Sequence, residues 1–258
     1  MFGVCLADAG ANIYESEVML SQYCELHYGR EYFGIANFPR SCATLCRGFM
    51  GKRKKERALD LGCAVGRATL ELALDFSHVT GADLSSGFIR VARRLKEEGR
   101  ISYRVAVEGD LFESVELDLA TLGLDGVRDR VSFVRADAAA LPEGLRDFDL
   151  IFAGNLIDRL PFPRLFLSAL HERIIPGGLL ALASPYTWLS GFTPRHEWLG
   201  GFSRDGKDVH ALDGLTEILS PRFRLAEAPL DVPFVIRETA RKYQHCVSQM
   251  TVWERTPT

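Results

Sequence analysis

The sequence predicts an α/β fold in which a mostly parallel sheet carries its ligands at the carboxyl edge. Three observations point there. Short apolar runs alternate with helical patterns from residue 57 to about residue 183. One run, Ala58-Leu59-Asp60-Leu61, enters the small-residue turn Gly62-Cys63-Ala64-Val65-Gly66 and leaves it as a helix from Arg67, the arrangement by which such sheets aim backbone N–H groups at a ligand. The composition, 47% hydrophobic and 25% charged over 258 residues, is that of a globular chain long enough for one such unit with an N-terminal extension.

The elements follow in order. Residues 1–56 read as a helical cap and 57–258 as the α/β domain, together one compact unit. Apolar Val18, Met19, Leu20, Tyr23, Cys24, Leu26 and Tyr28 give a helix over Tyr14 to Tyr28, ended by Gly29, and a second helix starts near Pro39 and stops around Gly48. The basic run Lys52 to Lys55 reads as a solvated linker. Strand 1 (Arg57–Leu61), a helix (Arg67–Leu74), strand 2 (Val79–Asp83) and a helix (Gly87–Glu98) come next. Alternation in Tyr103, Val105 and Val107, with a Glu-Gly-Asp turn at 108–110, predicts an inserted β-hairpin over 101–119. Strand 3 is Val131–Arg135 and strand 4 is Phe148–Ala153; a helix (Pro163–Arg173) and the turn Pro176-Gly177-Gly178 lead to strand 5 (Leu179–Ala183). Asp213 is expected to cap a helix over Gly214–Leu219, and the extended runs Phe223–Ile236 and Tyr243–Trp253 are expected to pair as strands 6 and 7.

A formal charge of −3 gives no pull toward nucleic acid or membrane, so a small-molecule substrate is expected. No run approaches the ~18 apolar residues that span a bilayer, and Met1-Phe2-Gly3 opens without the layout of a signal peptide, so a cytoplasmic location is expected. Six scattered cysteines read as thiols, and Cys42 and Cys46 lack companion ligands for zinc; no metal is expected.

The turn after strand 1 has Ala64 where the dinucleotide fingerprint has its second glycine, and it lacks the Gly-Lys-Ser/Thr ending of a P-loop. It resembles motif I of class I S-adenosyl-L-methionine (SAM) methyltransferases. That resemblance implies a Rossmann-like, seven-stranded sheet of order 3-2-1-4-5-7-6, with SAM as methyl donor and S-adenosyl-L-homocysteine (SAH) as product. It assigns Asp60, Gly62, Cys63, Ala64 and Gly66 to the methionine portion and the loop around it. Asp83, seventeen residues after Gly66 and followed by Leu84, suits a ribose diol, since a carboxylate accepts two hydroxyl hydrogen bonds. Asp137-Ala138 after strand 3 falls where the family addresses adenine. Asn155, after strand 4, falls where the family faces the transferring methyl group; it also reads as a helix cap. Arg67 either pairs with a carboxylate or reaches the cofactor.

Further motifs narrow the family. Tyr14-Glu15-Ser16-Glu17, Asn155-Leu156-Ile157-Asp158-Arg159-Leu160, Ser184-Pro185-Tyr186-Thr187-Trp188, Trp198-Leu199-Gly200-Gly201 and the run from Pro233 through Arg237-Glu238-Thr239-Ala240-Arg241-Lys242-Tyr243 together resemble the methyltransferase domain of ovothiol biosynthesis proteins, from about residue 12 to 254. The resemblance implies methylation of the π-nitrogen of 5-mercaptohistidine to give ovothiol A, and a separate sulfoxide synthase as a possible partner, since the chain has no paired-histidine iron motif. A zwitterionic substrate with a flat ring needs a cation, an anion and an apolar slot. Arg237 or Arg241, then Glu15, Asp158 or Glu238, then Tyr14, Tyr186, Trp188 and Tyr243 are the candidates, with Asn155 or Tyr14 orienting the reacting nitrogen. Another small amine, thiol or imidazole acceptor, an inactive SAM-binding partner of a sulfoxide synthase and a nicotinamide oxidoreductase are the alternatives.

Overall fold

The computed structural model describes residues 15–257. Helices α1 (Glu17–Tyr28) and α2 (Phe38–Met50) precede β1 (Arg57–Leu61), α3 (Arg67–Leu72), β2 (His78–Asp83) and α4 (Ser86–Glu98). The hairpin β3 (Arg100–Glu108) and β4 (Leu111–Asp118) leads to β5 (Val131–Arg135), β6 (Phe148–Gly154), α5 (Pro163–Ala169) and β7 (Ile174–Ser184). A short pair, β8 (Phe202–Arg204) and β9 (Lys207–Val209), comes before α6 (Ala211–Leu219), β10 (Phe223–Leu225), β11 (Leu230–Arg237) and β12 (Tyr243–Arg255).

The main sheet runs β5-β2-β1-β6-β7-β12, parallel through β7, with β12 antiparallel and both β10 and β11 on its outer side. This is the order 3-2-1-4-5-7-6 with the sixth strand in two pieces. The single run expected over Phe223–Ile236 breaks before Leu230, where Pro229 offers no N–H to the ladder. Its central strands are buried on both faces, as continuous apolar runs in parallel sheets are. Core residues from α2, α3 and α4 cover one face, and those from α5 and α6 cover the other.

Two other expectations are corrected. Pro176-Gly177-Gly178 is no turn between elements but lies inside β7, where the register against β6 slips between Phe148–Ile174 and Leu150–Leu179. Asp213 sits inside α6 instead of before it. Its Oδ2 accepts from His210 N at 2.8 Å, the reciprocal half of a capping box whose N-cap is His210.

The β11–β12 arm overhangs the sheet. Gln249 pairs with Ser184 at the end of β7, whereas Arg237 pairs with Tyr243 six residues earlier, so the arm extends roughly 20 Å past the edge at about 3.3 Å per residue. There it meets α1 and the β3–β4 hairpin. Gln22 Nε2 donates to Arg237 O (3.2 Å), and Ala240 N donates to Val107 O (3.2 Å). The polar centre of this canopy is Glu25, 5% exposed, which accepts from Tyr32 (2.5 Å) and Tyr103 (2.8 Å) and lies 4.0 Å from the Arg237 guanidinium. Removing one partner of a buried ion pair costs about 3–5 kcal/mol. Arg237→Ala is therefore expected to lower the melting temperature by roughly 10 °C in a chain of this length and to speed amide exchange over 237–243. An unchanged melting temperature would mean that other contacts carry the canopy.

Candidate functional site

The carboxyl edge of the sheet is organised by backbone strain. Among the described residues six other than glycine have positive φ, and three of them, Ala64 (φ 44°), Asn155 (φ 52°) and Tyr186 (φ 52°), directly follow or nearly follow the adjacent strands β1, β6 and β7. Such conformations gather where surrounding structure over-determines them, commonly at functional sites.

Around Ala64, the loop leaving β1 is held by its neighbours. Gly62 N and Cys63 N both donate to Ala82 O (2.8 and 3.1 Å). Gly66 (φ 87°) opens α3, and a Cβ there would lie 2.7 Å from the Phe133 ring, so glycine is required. At Gly62 a Cβ would come within 3.2 Å of Leu156, beside the loop after β6. Asp83 clasps the loop from β2: Oδ2 accepts from Ala64 N and Oδ1 from Ser85 N, both at 2.9 Å. Beneath, Asp60 is 1% exposed and accepts from Thr69 Oγ1 at 2.7 Å. Burial, with the charge of Asp83 adding to it, pushes the Asp60 carboxyl up to about 7 against that hydrogen bond. Cys63 is buried, with Sγ 3.7 Å from Ala64 O.

Across the cleft, Asn155 N donates to Ala183 O (2.7 Å) and its Oδ1 accepts from Ser248 Oγ (2.7 Å). Asn155 is thus no helix cap; the 3-10 turn 157–159 has Leu156 at its N-cap and no side-chain capping bond. Tyr186 N donates to Ser184 Oγ (3.0 Å), and its hydroxyl donates to Gln249 Oε1 (3.1 Å). Asp158, 1% exposed, accepts at Oδ2 from Arg159 and Thr187 N (both 2.9 Å), while Oδ1 has no partner among the described residues. Burial raises its carboxyl despite Arg159, the Thr187 N–H and the nearby Ser184 hydroxyl, which all favour the charged form. Trp188 is buried and stacked on Trp198 with centroids 6.4 Å apart, its Nε1 likewise without a partner. Ser184 was legible only as the first residue of the 184–188 motif, and Ser248 and Gln249 carried no sequence signal, because a serine or glutamine in a strand is ordinary until register sets it beside the loop.

Other expected site residues are engaged elsewhere. Glu15 accepts from Ser86 N (2.8 Å), Ser86 Oγ (3.0 Å) and Gly87 N (3.0 Å), neutralising the start of α4 instead of awaiting a substrate cation. Arg237 is spent in the canopy. Glu238 pairs with Lys242 (2.5 Å) and Gln244 (2.6 Å), and the exposed Arg241 lies in the same turn. Tyr243 packs on Tyr32 and Phe33, so these four residues stand at the arm's tip, away from Asn155. Asp137 is exposed and accepts from Ala139 N (2.8 Å), with Ala138 beginning that 3-10 turn, and Leu84 is 48% exposed at the rim. Tyr14 lies outside the described residues. Arg67 pairs with Glu71 at 2.6 Å, both buried. Among the described residues no group of three or more His, Cys, Asp or Glu could hold a metal ion.

Residues 59–182 match a family model described as a methyltransferase domain. Over 127 residues the chain is 32% identical to demethylmenaquinone methyltransferase of Clavibacter sepedonicus, a match covering 49% of this chain and 40% of that protein. Among solved structures it is similar to magnesium protoporphyrin IX methyltransferase from Synechocystis PCC 6803 with bound SAM (TM-score 0.56, 14% identity, 95% of each chain). It is also similar to N-methyltransferase NodS from Bradyrhizobium japonicum WM9 in complex with SAH (TM-score 0.54, 16% identity, 94% of this chain and 100% of that one). The cyclase SpnF shares the fold as well (TM-score 0.60, 15% identity, 96% and 94%), so the fold by itself does not set the reaction. Residues 59–182 are thus similar to a methyltransferase domain, the whole chain has the Rossmann-like fold of these solved structures, two of which hold SAM or SAH, and the chain spans well under two thirds of the curated relative it matches.

Proposed function

We propose that this methyltransferase domain moves the methyl group of SAM to the π-nitrogen of 5-mercaptohistidine, giving ovothiol A and SAH. The observation that carries the reading is the row Ala64, Asn155 and Tyr186, three left-handed residues at the carboxyl ends of the adjacent strands β1, β6 and β7. The acceptor's identity is supported by the resemblance of the five motifs to ovothiol methyltransferase domains, two of which, 155–160 and 184–188, lie at this edge.

The residues present fit SAM. Asp83 keeps acceptor capacity beyond its two backbone bonds and can take the ribose hydroxyls. The glycine at 62 lets the chain come close, and buried Asp60 needs a cation, which the cofactor's ammonium provides. SAM supplies an electrophilic methyl group: as the ring nitrogen forms its bond to that carbon, the carbon–sulfur pair stays on sulfur. Ser248 fixes the Asn155 amide, which holds the imidazole so that nitrogen, and not the more nucleophilic thiolate, lines up with the methyl carbon. Asp158, with one oxygen open, suits the amino acid's ammonium, and Tyr186 and Trp188 flank the ring. Tyr14 and Glu15 stay in the proposal only as the segment leading into α1.

A cation seated near Asp60 lowers its pKa. Folded protein without ligand holds a proton there below about pH 7, so cofactor binding releases it. SAH affinity is expected to rise up to ten-fold per pH unit below 7 and to level off above; calorimetry across pH 5.5–8.5 checks this, and a flat profile would detach Asp60 from the cofactor. By the same sign, the raised folded value makes stability fall as pH climbs from about 4 to 7.

The function itself is tested by SAH release from SAM-loaded protein. Release on adding 5-mercaptohistidine, with none on adding histidine, supports the reading. Release only with a different amine, thiol or imidazole would replace the acceptor, and SAH binding without turnover on any of them would favour a non-catalytic partner of a sulfoxide synthase.

A further inference from the structure

Helix α1 spans the two loops that flank the cofactor cleft. Midway along it, Tyr23 packs on Phe88 in the first turn of α4, ring centroids 4.6 Å apart, just past Asp83. One turn on, the His27 ring lies 6.1 Å from that of Tyr23. The next residue, Tyr28, donates its hydroxyl to Val65 O at 2.9 Å, with the Arg67 guanidinium 5.5 Å from its ring. Tyr23 and Tyr28 therefore tie α1 to the start of α4, beside Asp83, and to the Gly62–Gly66 loop, with His27 on the helix between these two anchors.

His27 is 8% exposed, and its Nδ1 has no hydrogen-bond partner among the described residues. Leaving such an atom unpaired carries the full desolvation penalty of a buried polar group, and native structures generally answer it with a ligand or ordered water. The ionic groups beside it are already matched, since Arg67 and Glu71 pair with each other. Burial, reinforced by Arg67, takes the imidazole down to about 3, so the ring is neutral and has one N–H to give. With Arg67 matched by Glu71, the neutral His27 N–H is the donor left at this end for an acceptor, while Asp60 on the loop's other side favours the ammonium.

We propose that His27 donates a hydrogen bond from Nδ1 to the carboxylate at the amino-acid end of SAM, making it a positioning residue that sets the sulfonium along the line to Asn155. The inference rests on the SAM reading above.

The test is calorimetry of three ligands on the full chain and on His27→Phe, which fills similar volume and deletes the unpaired nitrogen. SAH affinity is expected to fall about ten-fold. Affinity for 5′-methylthioadenosine, which lacks the amino-acid end, and for decarboxylated SAM, which keeps only the ammonium, is expected to hold, while the ligand-free variant melts at the same temperature or higher. Equal losses for all three ligands, or undiminished SAH affinity, would overturn the assignment as packing alone. A loss shared by SAH and decarboxylated SAM only would move the contact to the ammonium and overturn it too. His27→Gln, which keeps a donor, is expected to lose less than His27→Phe and gives the same comparison should the phenylalanine variant not fold. If wild-type protein binds no SAH, the SAM reading itself fails, a result distinct from failure of the His27 contact.

Discussion

Asp83→Ala is expected to weaken SAH binding about 100-fold while the protein still folds. The carboxylate accepts from Ala64 N and Ser85 N, so the substitution releases the left-handed Ala64 loop as well as the ribose contact. Hydrogen bonds to a charged group contribute roughly 1.5–3 kcal/mol each, and loss of about one to two of them from the bound state corresponds to 100-fold in affinity. Asp83→Asn keeps one acceptor oxygen and is expected to lose about ten-fold, on the smaller figure for a neutral hydrogen bond. Calorimetry with SAH decides the matter: full affinity in the alanine variant would remove Asp83 from both the clasp and the ribose.

Asn155→Ala is expected to reduce kcat about 100-fold with the KM for SAM changed by less than about three-fold, because misalignment of a reacting atom by about 1 Å has effects of that size. The residue has φ 52°, so alanine also adds backbone strain. Asn155→Gly separates the two causes: glycine takes the left-handed conformation without strain, so an equal loss of turnover there assigns the effect to the amide, and recovery assigns it to the backbone. Ser248→Ala, which frees the amide bonded at Oδ1, is expected to fall between wild type and Asn155→Ala. Turnover intact in all three variants would take the amide out of the reaction.

The parallel core was legible because its strands are short apolar runs buried on both faces, and the motif I loop because glycine and alanine are what its close approaches allow. Where a local signal had two structural uses, the sequence could not choose between them. Pro176-Gly177-Gly178 serves a bulge inside β7 as well as it would a turn, and Asp213 caps from within the helix. The small β8–β9 pair has almost no apolar pattern to announce it. The bonds that charged candidates make within the chain were hidden for a related reason. A carboxylate or guanidinium does not reveal its partner, and Glu15, Arg237 and Glu238 found theirs within the chain. Asp158 was visible as an acid in a loop, but its burial and open oxygen follow only from the packing of the 186–188 segment over it. Gln249 and Ser248 reach the cleft solely through the register of β12 on β7.

The most direct measurement is to incubate the protein with SAM carrying a labelled methyl group and 5-mercaptohistidine, beside histidine and ergothioneine, and to locate the label by NMR. The account predicts a methyl on the π-nitrogen of mercaptohistidine alone. A methyl on sulfur, on the other ring nitrogen, or on either control would contradict an alignment set by Asn155 in a cleft built for this acceptor.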